Sequence, residues 1–145
     1  MQGVKNILFR LAIRPINVPR SSSFRPVICS QRSCSTNIVF SLDTVDEFTE
    51  KVVNSEVPVI VDFHADWCGP CRTLGPRLEE KVCGRKGAIL MAKINVDHAG
   101  ELAMDYGVTA VPTVMSFKNG ERIGMFTGVI NDDDIDDFLD DAINH

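Results

Sequence analysis

Two cysteines separated by two residues, Cys68 and Cys71 in the stretch Trp67-Cys68-Gly69-Pro70-Cys71, are the side chains best placed to do chemistry in this chain. They follow an apolar, β-branched run, Val57-Pro58-Val59-Ile60-Val61-Asp62-Phe63, and precede Arg72 to Val82, whose pattern predicts a helix. The first cysteine then stands at a strand-to-helix junction, where unpaired helix N–H groups and the macrodipole favour a negative charge. The thiolate is the reactive form of cysteine, and such a position lowers its pKa. The second cysteine, one turn further on, can reach back and close a disulfide. The chemistry implied is dithiol–disulfide exchange.

The other cysteines do not form a framework with this pair. Of five in the chain, Cys29 and Cys34 lie in the N-terminal stretch, leaving Cys68, Cys71 and Cys83 beyond it. A structural zinc site needs a second pair of ligands at metal spacing. His64, His98 and His145 are scattered, and no second Cys-x-x-Cys exists, so no metal site is expected. Cys83 is twelve residues past Cys71, about 18 Å along a helix, which is too far to join the active pair. It reads as a buried small hydrophobe, with oxidation or an intermolecular disulfide as the alternatives.

The first 42 residues carry six basic residues (Lys5, Arg10, Arg14, Arg20, Arg25, Arg32) and no acid. Val4, Ile7, Leu8 and Leu11 share one helical face, and serines cluster at Ser21-Ser22-Ser23. An amphipathic, Arg- and Ser-rich, acid-free start matches an organellar transit peptide, with the mitochondrion favoured. Arg10 interrupts the apolar core that a secretory signal would need, and no run is long enough to span a membrane. Residues 1–35 are therefore expected to be a cleaved transit peptide and residues 36–145 the functional domain. Cleavage would fall between Ser33 and Asn37. Nine of the 15 basic residues then remain against all 20 acids, a net charge of −11. Such a domain repels nucleic acid and anionic membrane.

The remaining pattern fits one domain. Asn37–Ser41, Val57–Phe63 and Ala88–Val96 read as strands, the last two near-continuously apolar. Asp43 or Thr44 can cap a helix carrying Val45, Phe48 and Val52. The helix after Trp67 contains Pro76, which should kink it. Glu101–Tyr106 is a short helix stopped by Gly107. Thr113–Phe117 and Arg122–Phe126 flank Asn119-Gly120, a strong hairpin signal. Asn131 can cap a final helix, Asp132–Ile143, whose acidic first turn suits its positive end. Its run of aspartates reads as a solvated face. The order β-α-β-α-β-α-β-β-α predicts an α/β fold with a mixed sheet.

Taken in order, these residues resemble the thioredoxin family, and the mitochondrial type within it, over residues 37–145. The resemblance rests on Val61-Asp62-Phe63-His64-Ala65-Asp66-Trp67-Cys68-Gly69-Pro70-Cys71, then Pro76, Ala92-Lys93-Ile94-Asn95-Val96-Asp97, Tyr106-Gly107-Val108, Val111-Pro112-Thr113, Phe117-Lys118-Asn119-Gly120 and Gly128. It implies a thioredoxin fold, a mixed five-stranded sheet flanked by four helices, with Pro112 in a cis peptide. It implies a Cys68–Cys71 disulfide, with Cys68 as attacking nucleophile and Cys71, the more buried, as resolving thiol. Gly69 and Pro70 between them are the reductant version of the loop. Asp62 is an acid in an apolar strand; water exposure at a sheet edge is the plain alternative. The resemblance makes it the proton acceptor and donor for Cys71, with Lys93 as its charge partner. Trp67, Val111, Pro112 and Gly128 would form the surface that receives substrate.

His64 stands where many family members carry tryptophan. It is read first as packing behind the active-site loop, and second as a modulator of thiolate chemistry. The function implied is protein-disulfide reduction by a monomer in the mitochondrial matrix. No cofactor is expected on the chain, which lacks a Gly-x-Gly-x-x-Gly loop. Electrons would come from NADPH through a flavin-containing thioredoxin reductase, and peroxiredoxins would be leading clients. A disulfide isomerase is disfavoured by Gly69-Pro70 and by the missing secretory signal. A pure binding module is disfavoured by the intact set Cys68, Cys71, Asp62 and Lys93.

Overall fold

The computed structural model describes residues 37–145, and the transit-peptide expectation for residues 1–35 lies outside them. Within that span the chain runs β1 (Val39–Ser41), α1 (Val45–Phe48, continued by a π-helical turn Thr49–Val53), β2 (Val59–His64), α2 (Gly69–Gly84) and β3 (Leu90–Asn95). It continues through α3 (Gly100–Asp105), β4 (Thr113–Lys118), β5 (Glu121–Thr127) and α4 (Asp132–Asn144). The five strands form one sheet in the order β1-β3-β2-β4-β5. β1, β3 and β2 are parallel, while β4 and β5 are antiparallel additions, so the sheet is mixed as the element order implied.

β2 and β3 are central and covered on both faces, which is why they read as apolar runs. Side chains alternate across a strand. Val59, Val61 and Phe63 of β2 therefore join Phe48, Val52 and Leu102 in one core layer against α1 and α3. Ile60 faces the other way and packs with Leu74, Leu78, Val82, Ile135 and Leu139 of α2 and α4. Asp62 shares the parity of Ile60. That alternation alone puts a carboxylate under α2, and the strand pairs Asp62 with Lys93 in the β2–β3 register.

Local signals explain the element ends. Thr44 caps α1, its hydroxyl accepting from the Glu47 N–H at 3.3 Å. Asn119 and Gly120 both adopt positive φ, 52° and 82°, the backbone a two-residue hairpin turn between β4 and β5 requires. Two expectations are corrected. Asn131 occupies the N-cap of α4 but makes no capping bond; its amide donates to Asp134 Oδ2 at 3.3 Å instead. The active-site helix begins at Gly69, three residues before the Arg72 start read from apolar spacing, because proline is tolerated in a first turn whose N–H groups have no helical partner.

α2 and α4 are also stitched by charge. Arg77, Lys81 and Arg85 form a stripe along α2, and Asp132, Asp136 and Asp140 form one along α4, each at helical i, i+4 spacing. Arg77 bonds Asp132 at 2.6 Å, Lys81 bonds Asp136, and Arg85 reaches both Asp136 (3.0 Å) and Asp140 (2.8 Å). Those aspartates are thus paired with α2 rather than merely solvated. The Lys81 and Arg85 partners hold the Asp136 carboxyl below the usual range, the Lys81 hydrogen bond being the largest cause.

Candidate active site

Cys68 is the N-cap of α2, in extended backbone conformation, and its Sγ accepts from the backbone N–H of Cys71 at 3.2 Å. The spacing that lets two cysteines bond is also the spacing from N-cap to N3, the reach of an ordinary side-chain cap. One arrangement therefore serves both states. Cys68 and Cys71 are joined as a disulfide here; when reduced, the same N–H and helix end favour a thiolate at Cys68.

Cys71 is not the more buried of the two residues, contrary to expectation. Cys68 is 4% exposed and Cys71 8%, so both are buried. Position at the cap, rather than exposure, is what distinguishes Cys68. Both pack with Ala65 and Val111, which brings the Val111-Pro112 loop against the disulfide. The Val111–Pro112 peptide is cis. Two contacts that the sequence did not flag hold this loop. The hydroxyl of buried Thr113 donates to the Ala110 carbonyl at 2.8 Å, and the Gly128 N–H donates to the Pro112 carbonyl at 2.8 Å. Gly128 has φ +87°, and a Cβ there would meet open space. A larger residue is thus opposed by backbone strain and would project above the surface beside Pro112.

Trp67 is 69% exposed, and its indole N–H donates to Asp97 Oδ1 at 3.3 Å. That bond ties an exposed aromatic beside Cys68 to the turn after β3. Arg72 donates to the Asp66 carbonyl at 2.7 Å and closes the loop from the other side.

Beneath Cys71 lies a cleft of about 350 Å³ lined by Asp62, His64, Cys71, Glu79 and Lys93, among others. Asp62 is 2% exposed, and its Oδ1 has no hydrogen-bond partner. Burial pushes its carboxyl up to about 6; Lys93 opposes that rise and Glu79 adds to it. A buried carboxyl raised in this way can take and return a proton near neutrality. Lys93, expected as the direct partner of Asp62, instead bonds Glu79 Oε1 at 2.7 Å and acts on Asp62 through space. Glu79 was missed because it lies 14 residues from Lys93 on a different element, and only the packing of α2 over β3 joins them. His64 is half-buried, and burial followed by the Lys93 charge holds its imidazole below the ordinary value. It lines the Cys71 cleft.

Cys83 is half-buried rather than fully buried. Among the described residues no cluster of ligands could hold a metal, and no helix is long and apolar enough to cross a membrane.

The chain that carries this site is similar to known proteins. The sequence pattern of the family described as thioredoxin matches residues 39–141. The chain belongs to the thioredoxin family. It is 69% identical over 105 residues to a protein named probable thioredoxin-2 from Caenorhabditis elegans, a match covering 72% of each chain. It is 47% identical over 112 residues to the mitochondrial thioredoxin of Bos taurus, covering 77% of this chain and 66% of the bovine one. A solved structure of a mutant thioredoxin from Halobacterium salinarum superposes with a TM-score of 0.65 at 33% identity, covering 72% of this chain and 90% of that one. The fold is thus the thioredoxin fold, a mixed five-stranded sheet with four helices. The thioredoxin chemistry is thiol–disulfide exchange at Cys68–Cys71, and this chain is a thiol-disulfide oxidoreductase of the mitochondrial type.

Proposed function

We propose that this protein is the protein-disulfide reductase of a mitochondrial matrix, imported by residues 1–35 and active as a monomeric 36–145 domain. The observation that carries the reading is the Cys68–Cys71 disulfide at the N-terminus of α2, with Cys71 sharing a cleft with the buried Asp62 carboxylate, whose Oδ1 has no partner. The Cys68 thiolate attacks one sulfur of a substrate disulfide; that bond breaks, a mixed disulfide forms, and the first substrate thiolate leaves. Asp62 takes the proton from Cys71. The Cys71 thiolate then attacks Cys68 Sγ, and the second substrate thiolate leaves. Two electrons have passed to the substrate and the Cys68–Cys71 disulfide remains.

Trp67, Val111, Pro112 and Gly128 receive the substrate. An extended peptide laid beside the Val111 backbone would add as a strand, so contact is read from shape and main chain rather than from sequence. That suits a reductant with many clients, peroxiredoxins among them. The disulfide is reset by a flavin-containing thioredoxin reductase drawing on NADPH, and the chain itself binds no cofactor. The basic, acid-free presequence and the mitochondrial names of its relatives support the location.

The test is NADPH-dependent reduction of a protein disulfide by the purified protein with a thioredoxin reductase. Turnover is expected in the wild type and lost in Cys68→Ser and Cys71→Ser, with a trapped mixed disulfide only in the latter. A folded wild type that fails to turn over with a competent reductase would overturn the reading.

A further inference from the structure

The charges around Asp62 are arranged to leave it alone. From β3 comes the Lys93 ammonium; from α2 come Cys71, Arg72 and Glu79; from β2 itself comes His64, and from the following loop Asp66. β4 presents the apolar Val114 opposite Asp62 in register. Arg72 is engaged with the Asp66 carbonyl, 2.7 Å away. Lys93 is therefore the cation available to neutralise Asp62, and it sits directly across the β2–β3 register from it. Yet its ammonium is turned to Glu79 at 2.7 Å, and Asp62 Oδ1 is left with no partner.

We infer that Glu79 is a positioning residue for proton transfer at Asp62: it holds the Lys93 ammonium away, so that the Asp62 carboxylate stays open toward Cys71. The inference rests on Asp62 being the proton acceptor. Glu79 acts twice in the same direction. Its own negative charge disfavours a second anion in the cleft, and its bond to Lys93 keeps a cation from closing onto that anion. A carboxylate that gains a close cationic partner loses basicity by roughly 1 to 3 pH units. A base works best with its pKa near the working pH. Without Glu79, Asp62 would be a weaker acceptor for the Cys71 proton. The side chains of Glu79 and Lys93 are 35% and 30% exposed. A pair that open adds little to stability, so the fold does not depend on it.

The experiment uses the full chain as wild type, Glu79→Gln, Glu79→Asp, Asp62→Asn and the Glu79→Gln/Asp62→Asn double variant. Asp62 is titrated through its carboxyl carbon by NMR in the oxidised protein, its resonance identified by its loss in Asp62→Asn. The pH profile of protein-disulfide reduction is recorded alongside. Glu79→Gln is expected to lower the Asp62 midpoint by roughly one pH unit and to carry the acid limb of turnover with it. Glu79→Asp, which keeps the charge, should restore both. In the double variant the glutamine should add nothing to the effect of Asp62→Asn. An unmoved Asp62 midpoint in Glu79→Gln, or a midpoint shifted as far by Glu79→Asp, overturns the inference. An acid limb that survives in Asp62→Asn overturns instead the reading of Asp62 as proton acceptor.

Discussion

α2 meets charge at two places, and they are built in opposite ways. Along its outer stripe Arg77, Lys81 and Arg85 meet Asp132, Asp136 and Asp140 of α4, each charge answered by another near water. Under its N-terminal half the Asp62 carboxylate is buried and its Oδ1 unanswered, although Lys93 lies beside it in the sheet. The first arrangement fastens two helices. The second keeps a carboxyl in a state that can change near neutral pH. Satisfied surface charge is structural, and unsatisfied buried charge is retained at a cost in stability, which is what marks a working group.

The comparison breaks most visibly at the sulfurs. Cys68→Ser should abolish protein-disulfide reduction, while Arg85→Ala should leave it unchanged in the same reductase-coupled assay. Next in size is Asp62→Asn. It should slow turnover by roughly 100-fold, the usual reach of a general base, and yet stabilise the fold. The sign follows from linkage. A carboxyl near 6 in the folded state, against an ordinary 3.8, binds its proton more tightly when folded. Stability therefore falls as pH rises from about 4 to about 6 and stays lower above that. Removing the charge should recover about 2 to 3 kcal/mol at pH 8, a gain that disappears below about pH 4. Urea melts of the two proteins at pH 4 and pH 8 would measure it.

Smaller effects belong to the ladder. Arg85→Ala should cost about 1 kcal/mol, because its pairs are partly exposed and share Asp136. Molar salt should erase most of that difference while leaving the Asp62→Asn gain nearly intact, since screening reaches surface pairs and not a buried group. A melt series in salt on these two variants sharpens the contrast directly. Equal sensitivity to salt would show that the two regions are not different in kind.

Much of this was legible in the sequence. The nine elements and their order follow from apolar spacing, and Asn119-Gly120 specified its own hairpin turn. Cys68, Cys71 and Asp62 could be chosen because each breaks a local pattern, a close thiol pair after a buried strand and an acid within it. What could not be read were contacts between elements distant in sequence. Glu79 looks like any exposed helix carboxylate until α2 is laid over β3, and Asp136 like a solvated one until α4 meets α2. Thr113 and its bond to the Ala110 carbonyl belong to the same class, since a threonine opening a strand announces no such bond. The start of α2 was misplaced for a different reason. Gly69 and Pro70 are poor interior helix residues but acceptable in a first turn, where Cys68 supplies the cap.

The exposed indole beside Cys68 has a use of its own. Trp67 is the one tryptophan in the chain, 69% exposed and steadied by Asp97. Sulfur in a disulfide quenches an excited indole that lies close to it, and a docked protein changes the polarity around it. Indole emission from this protein therefore has a single source, next to Cys68 in the chain, and its intensity and colour are an internal gauge of both redox state and occupancy that needs no attached dye.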